Sequence, residues 1–406
     1  MEQDTEAKRP KGLAIAGRLI VAGLAVALIG CGDGDGTEDS RPPDPKLSAA
    51  AALGEKIFND PGLSASGRIS CATCHDPATA HATGNADIVV PAGGAAGDVS
   101  GFRNAPSLRY LTLNPAFFFD AEGTPSGGFN RDGRAASLAE QAQRPFLAAH
   151  EMANATVEAV IAKLAIAPYV DEFRRVFGAG ILNTPDAAFD RMRFALAQYQ
   201  REDPEFRPFD SKYALFVTGR VSLTGRELQG LALFNDPLKG NCSACHPSGR
   251  GGDGSPPLFT DFTYDDIGVP RNPAIAANAD PVFRPRPLWA VSRRSRRANR
   301  SLWRVQGSHT AQRRRHGALL PQRPLQDAEG SRRLYIRPDT NPEEWYPLKP
   351  DGSVGKFDDL PPAYRANVNT TEVPYDRKAG EAPALTPDEI DLVVEFLGTL
   401  TDGYKP

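Results

Sequence analysis

Two pentapeptides carry the clearest chemistry in the chain: Cys71-Ala72-Thr73-Cys74-His75 and Cys242-Ser243-Ala244-Cys245-His246. Each has the Cys-x-x-Cys-His pattern of covalent c-type haem attachment. The two thiols add across the haem vinyl groups, and the following imidazole becomes an axial iron ligand. Two intervening residues let one turn of backbone present both sulfurs while the histidine points at the iron. A thioredoxin-like motif needs no trailing histidine, and a zinc site needs further Cys or His at ligand spacing. With 5 Cys and 6 His in 406 residues, chance does not place two such matches. Two covalently bound haem c groups are expected, with His75 and His246 as iron ligands.

The elements that position these motifs are mainly α-helical. A helical stretch over 47–58 leads into the first motif. Apolar residues at helical spacing follow over 157–177 and 185–201, with Asn183-Thr184-Pro185 as a stop and restart. Thr224 and Glu227 open a second helix before the second motif, and Thr386-Pro387-Asp388-Glu389 caps a last one with Ile390, Val393, Val394, Phe396 and Leu397 on one face. Alternation of the strand type is scarce. The expected fold is mainly α, with two cytochrome c-like domains and long loops, one covalent haem in each. The boundaries fall at 47–205 and 206–406.

Net charge is −3, so the average implies no polyanion partner and no nucleic acid. The chain begins with Lys8, Arg9, Lys11 and Arg18 ahead of an apolar run over 19–29. That layout is a secretory signal, too short for a comfortable membrane span. Leu28-Ile29-Gly30 before Cys31 matches a bacterial lipobox. The expectation is a lipoprotein signal over 1–30, lipidation of Cys31, and a flexible Gly- and Pro-rich tether over 31–46. An ordinary signal peptide or an uncleaved anchor is the alternative. Either places the protein in the periplasm or cell envelope, where c-type haem is attached.

The segments SCATCHDPATA, RNAPSLRYL, RDGRAASLAEQAQRPFLAAHEMAN, GNCSACH, PPLFTDFTYDDIGVPRNP and PALTPDEIDLVVEFLGTLTDGY resemble the bacterial di-haem cytochrome c peroxidases and their MauG-like relatives. The resemblance implies that the N-terminal haem reduces hydrogen peroxide. It also implies that the C-terminal haem receives electrons from a small cytochrome c or cupredoxin. O–O cleavage needs a group that takes a proton from one oxygen and returns it to the other. The residues matching the family's catalytic pair are Glu151 and Gln141. His150 reads as a neighbour rather than a ligand, and His81 is not assigned as one; relatives often carry an aromatic residue there. Arg103 matches a haem propionate contact and Asn104 an interdomain calcium ligand. A homodimer is likewise implied. One departure is Arg131, which stands where many relatives place a Trp between the haems; no Trp precedes Trp289. That argues against MauG-like oxidation of a distant protein substrate.

Residues 284–334 break the pattern of the chain. Within 284–333 there are 14 Arg, no Lys and two acids, Asp327 and Glu329. A basic docking patch is one reading. Back-translation favours another: RVQGSHTAQR at 304–313 permits, one base later, the family-like EFKVPTLRN. A compensated frameshift, one base gained near codon 283 and one lost near codon 335, accounts for the interval. The sixth ligand of the second haem would then be missing from the text as written. The remaining alternatives are a di-haem electron carrier and an inactive product of a damaged gene.

Overall fold

Helices ahead of each Cys-x-x-Cys-His motif cross a later helix at a glycine, and these two crossings organise the molecule. The computed structural model describes residues 46–84, 90–121, 123–268, 270–272, 274–280, 305–306, 336–360, 362–366 and 368–406. Cys31, the expected signal and tether, and most of 284–334 lie outside the described residues.

Helix α1 (Ala49–Asn59) starts where the Ser48 side chain accepts from the Ala51 N–H, and it buries Leu53, Gly54, Ile57 and Phe58. The one-turn α2 (Cys71–Cys74) follows. Further on come α3 (Leu138–Leu147), α4 (Val157–Leu164), α5 (Val170–Phe177) and the long α6 (Pro185–Glu202). The periodic segment expected over 157–177 is thus two helices. Pro168 lacks the N–H that would continue the first, and the chain turns at 165–169. Helix α1 lies across α6 so closely that a Cβ on Gly54 would sit 2.0 Å from the Ala195 carbonyl oxygen and 2.8 Å from Tyr199 Cβ. Leu53, Ile57, Phe58, Phe146, Val160, Leu164, Phe189, Met192, Leu196 and Phe206 close one core around that crossing.

The second core repeats the device. After α7 (Lys212–Val217), α8 (Gly225–Asn235) opens with a reciprocal Thr224–Glu227 capping box. The short α9 (Pro362–Arg365) precedes α10 (Pro387–Gly398), which has its own box between Thr386 and Glu389. A Cβ on Gly230 would lie 2.1 Å from the Leu392 carbonyl oxygen and 2.8 Å from Phe396 Cβ. Tyr213, Phe234, Phe259 and Phe396 meet around it with ring centroids 5.3 to 6.2 Å apart.

Among the described residues the strands are short antiparallel pairs: β1 (Ala92–Gly93) with β2 (Val99–Ser100), β3 (Phe118–Phe119) with β4 (Pro125–Ser126), and β5 (Tyr264–Asp265) with β6 (Val305–Gln306). The fold is therefore mainly helical with long connecting loops. Among the described residues no helix is long and apolar enough to cross a membrane.

Crossing at a glycine is sensitive to one added methyl group. Gly54→Ala is expected to lower unfolding stability by about 1–3 kcal/mol through overpacking. Gly225→Ala, at the start of α8 with nothing within 4 Å, should be neutral or stabilising by up to about 1 kcal/mol. Urea unfolding of the two variants beside the parent checks both; equal effects would remove the close-approach argument.

Candidate functional site

The first Cys-x-x-Cys-His begins at Ser70, whose backbone N–H donates to Thr73 Oγ1 at 2.9 Å. The His75 N–H then donates to the Cys71 carbonyl at 2.9 Å, which folds the motif into one turn. Imidazole Nδ1 of His75 lies 2.9 Å from the Pro106 carbonyl oxygen and 3.1 Å from that of His81. Carbonyls only accept, so Nδ1 carries the hydrogen and Nε2 is left with its lone pair. Cys71, Cys74 and His75 line one cavity of about 420 Å³. Burial pushes the Cys71 thiol up to about 12, with Cys74 and Glu151 adding to it, and the Cys74 thiol up to about 11. Protonated thiols are the opposite of what a redox-active thioredoxin-like pair requires. Among the described residues no three His, Cys, Asp or Glu side chains are grouped to hold a bare metal ion.

The facing wall of that cavity comes from α3 and the turn after it. Ser137 caps α3 by accepting from the Glu140 N–H, and Leu138, Ala142 and Phe146 point into the core. Gln141, Arg144 and Pro145 consequently line the cavity, together with His150, Glu151 and Met152. The turn is fixed by its backbone: Glu151 N–H donates to the Ala148 carbonyl at 2.9 Å and Met152 N–H to the Pro145 carbonyl at 3.0 Å. Pro145 has no N–H of its own, yet its carbonyl holds this turn. From outside, Gly94 N–H donates to the Glu151 carbonyl at 2.8 Å.

Arg103, Arg131, Arg134 and Arg144 also line the cavity. Buried Asp132 accepts from Arg103 at 3.1 Å and from Arg134 at 2.5 Å. Four guanidiniums thus gather at one cavity, and one haem carries two propionates. Two thiols, an imidazole with a free Nε2 and those guanidiniums together fit a haem.

His81, not expected to be a ligand, is fully buried, and neither ring nitrogen has a protein partner. Its ring lies 4.2 Å from that of Phe206 and 5.9 Å from that of Phe58. The imidazole fills an aromatic slot, and its backbone carbonyl serves His75. Asn104 Oδ1 accepts from the Thr83 hydroxyl, and the Asn104 carbonyl accepts from Arg131 at 3.4 Å.

The second motif folds alike. His246 N–H donates to the Cys242 carbonyl at 2.8 Å, and His246 Nδ1 lies 2.9 Å from the Phe259 carbonyl oxygen. Burial, then Asp261, Asp265 and Glu372, push the Cys245 thiol up to about 12. The expected location of its opposite wall, within 284–334, lies outside the described residues apart from the two-residue β6.

Several working groups escaped the sequence reading. Pro106 and Phe259 act through carbonyl oxygens, which carry no side-chain signal. Asp132 stands in a noted motif but its pairing with Arg103 is long-range. One signal was legible: Gly54-x-x-x-Phe58 and Gly230-x-x-x-Phe234 repeat ahead of the two motifs.

The family model for di-haem cytochrome c peroxidase matches residues 48–222. The methylamine utilization protein MauG of Paracoccus denitrificans is 41% identical over 256 residues, 62% of this chain and 63% of that protein. Cytochrome c551 peroxidase of Pseudomonas aeruginosa is 36% identical over 197 residues, 48% of this chain and 49% of the peroxidase. The chain therefore spans less than two thirds of these curated relatives. The crystal structure of the di-haem peroxidase BthA from Burkholderia thailandensis superposes with a TM-score of 0.81 at 35% identity, covering 89% of this chain and 87% of BthA.

Burial, with Arg109 and His75 adding to it, pushes the His81 imidazole down to about 4. A base lowered by folding contributes stability that is full above its unfolded value, about 6.5, and lost as pH falls towards 4. Between pH 7 and 4.5 the loss is roughly 2–3 kcal/mol at about 1.4 kcal/mol per pH unit. His81→Phe should flatten that part of the acid slope in urea unfolding; an unchanged slope would assign it to other groups.

Proposed function

The chain belongs to the family of di-haem cytochrome c peroxidases and MauG proteins, and on that premise we propose that it reduces hydrogen peroxide to two waters with two electrons from a small cytochrome c or cupredoxin. The observation that carries this reading is the single cavity shared by Cys71, Cys74, His75, Gln141 and Glu151. Haem c, when bound there, supplies the redox site for O–O cleavage. Cys71 and Cys74 would form the thioether links, His75 the axial bond, and Arg103 with its neighbours would answer the propionates. Glu151 takes the proton from one peroxide oxygen and returns it to the departing one. Gln141, one wall away on α3, offers an amide that can orient the peroxide. Cys242, Cys245 and His246 are assigned to the second haem, which receives the donor's electrons.

In this reading 47–205 is the peroxidatic domain and 206–406 the electron-transfer domain. The envelope location rests on the signal-like N-terminus and Cys31. Calcium at Asn104 and pairing of two copies are implied by the resemblance, and the proposal does not depend on them. A MauG-like oxidase is the second reading, favoured by the 41% identity to a MauG protein. Arg131, a charged group in the place of an oxidisable indole, weighs against it.

Glu151→Gln should lower the rate of peroxide-dependent oxidation of a reduced small cytochrome about a hundredfold. Both haems should remain, as read from the pyridine haemochrome spectrum. A variant with the parent's rate would remove Glu151 from the mechanism. Resequencing the gene across codons 280–340 is expected to restore the family-like frame. An unchanged Arg-rich text would sink the frameshift account and leave a basic surface segment to explain.

A further inference from the structure

We propose that His150 is a positioning residue that holds the Glu151 carboxylate and resupplies its proton during peroxide reduction. The inference rests on the reading of Glu151 above and extends it by one group. His150 Nε2 lies 3.5 Å from Glu151 Oε1, and the imidazole is the more buried partner, 14% exposed against 37%. Both side chains line the cavity that holds Cys71, Cys74 and His75.

His150 is held at its ring and at its backbone. Its face lies on Phe102, with ring centroids 4.2 Å apart and planes at 41°. Its own carbonyl oxygen sits where a Cβ on Gly93 would come within 2.3 Å, so only glycine lets the β1–β2 hairpin press against this peptide. Gly94 N–H meanwhile fixes the Glu151 carbonyl. The edge of the ring is left to face the carboxylate. Neighbours in sequence rarely meet this way, and the tight Ala148–Glu151 turn is what brings them together.

The shuttle between the two peroxide oxygens returns the substrate's own proton and leaves Glu151 a carboxylate again, so the two protons that each turnover consumes come from outside. The imidazole edge 3.5 Å away is the group placed to pass them to Glu151. Its Nε2–H bond breaks as Glu151 Oε1–H forms, and the ring regains a proton from solvent; no electrons move. The surrounding groups are compatible with this. Arg144 on α3 acts on Glu151, and α2 places the Cys71 and Cys74 thiols near it. The β1–β2 hairpin brings the backbone of Gly93 and Gly94, and the next segment brings Phe102 and Arg103, the latter paired with Asp132.

The test uses the haem-loaded protein with His150→Gln and Glu151→Gln. H150Q should react with peroxide about tenfold more slowly near neutral pH, a smaller loss than that of a direct general acid. The pH profile of its rate should change from the parent's, and imidazole added to the buffer should restore part of the lost rate. Independently of turnover, infrared titration of the carboxylate band that disappears in E151Q should shift between the parent and H150Q. A parental rate and pH profile in H150Q would overturn the proposal. So would a loss equal at every pH, unrescued by imidazole, with an unmoved carboxylate titration. E151Q at full rate would instead overturn the role of Glu151 itself, while a crippled E151Q beside a normal H150Q removes His150 alone.

Discussion

The hydrogen bond from each motif histidine to a backbone carbonyl is the interaction on which the rest of the molecule depends. A covalently attached haem would fix two sulfurs, but the angle of the imidazole is set by what Nδ1 meets. For His75 the partners are the carbonyls of Pro106 and His81, and for His246 that of Phe259. A carbonyl has no freedom apart from the chain that carries it. The loops that bear these oxygens must therefore be as rigid as the helices. The first is held by Ser107 Oγ, which donates to the Ala80 carbonyl at 2.5 Å, and by Leu108 N–H, which donates to the His81 carbonyl at 3.2 Å. Ala80 and His81 adopt left-handed backbone angles, φ 59° and 55°, to aim that second carbonyl. The burial of His81 among Phe58 and Phe206 offsets the strain by locking the turn from behind.

The helix crossings supply that rigidity at longer range. Phe58 is one turn beyond Gly54, and Phe234 one turn beyond Gly230, so each close crossing places an aromatic ring against a residue whose carbonyl serves a motif histidine. Phe58 reaches His81, and Phe234 reaches Phe259, the residue that accepts from His246. The same geometry thus joins packing to ligand orientation in both cores. A methyl group at either glycine would push the aromatic ring and the carbonyl it backs, not only the helices.

Much of this was legible in the sequence because the chemistry sits in contiguous text. The two pentapeptides and the capped helices are local patterns that local rules read, whereas Gln141 and Glu151 are picked out by the family resemblance of their segment. The helix break at Pro168 was available from its missing N–H but was hidden by uninterrupted apolar spacing. What could not be read was tertiary: which carbonyls serve the histidines, that Asp132 answers Arg103, and that the imidazole of His81 occupies an apolar slot. Those facts depend on segments separated by tens of residues, and backbone acceptors look the same at every position. The glycine–aromatic repeat lies between these cases, a local pattern whose meaning appears only once the crossing helix is in place.

Arg131 shows how a single substitution of type can be understood from its surroundings. A ring at this position would add polarisable, uncharged surface to the cavity wall. A guanidinium adds a fixed charge, reaching the Asn104 carbonyl at 3.4 Å and lowering the proton affinity of His75 from a distance. Beside Arg103, Arg134 and Arg144, that charge makes a wall that attracts anions. A haem bound there would bring two propionates to it. Arg131 is accordingly better suited to holding the cofactor than to passing a hole through its own side chain, since a guanidinium has no accessible oxidised state. An electron passing this point would then go through the surrounding bonds and packed rings, and the fold has buried Tyr264 and half-buried Phe117 side by side next to Gly133.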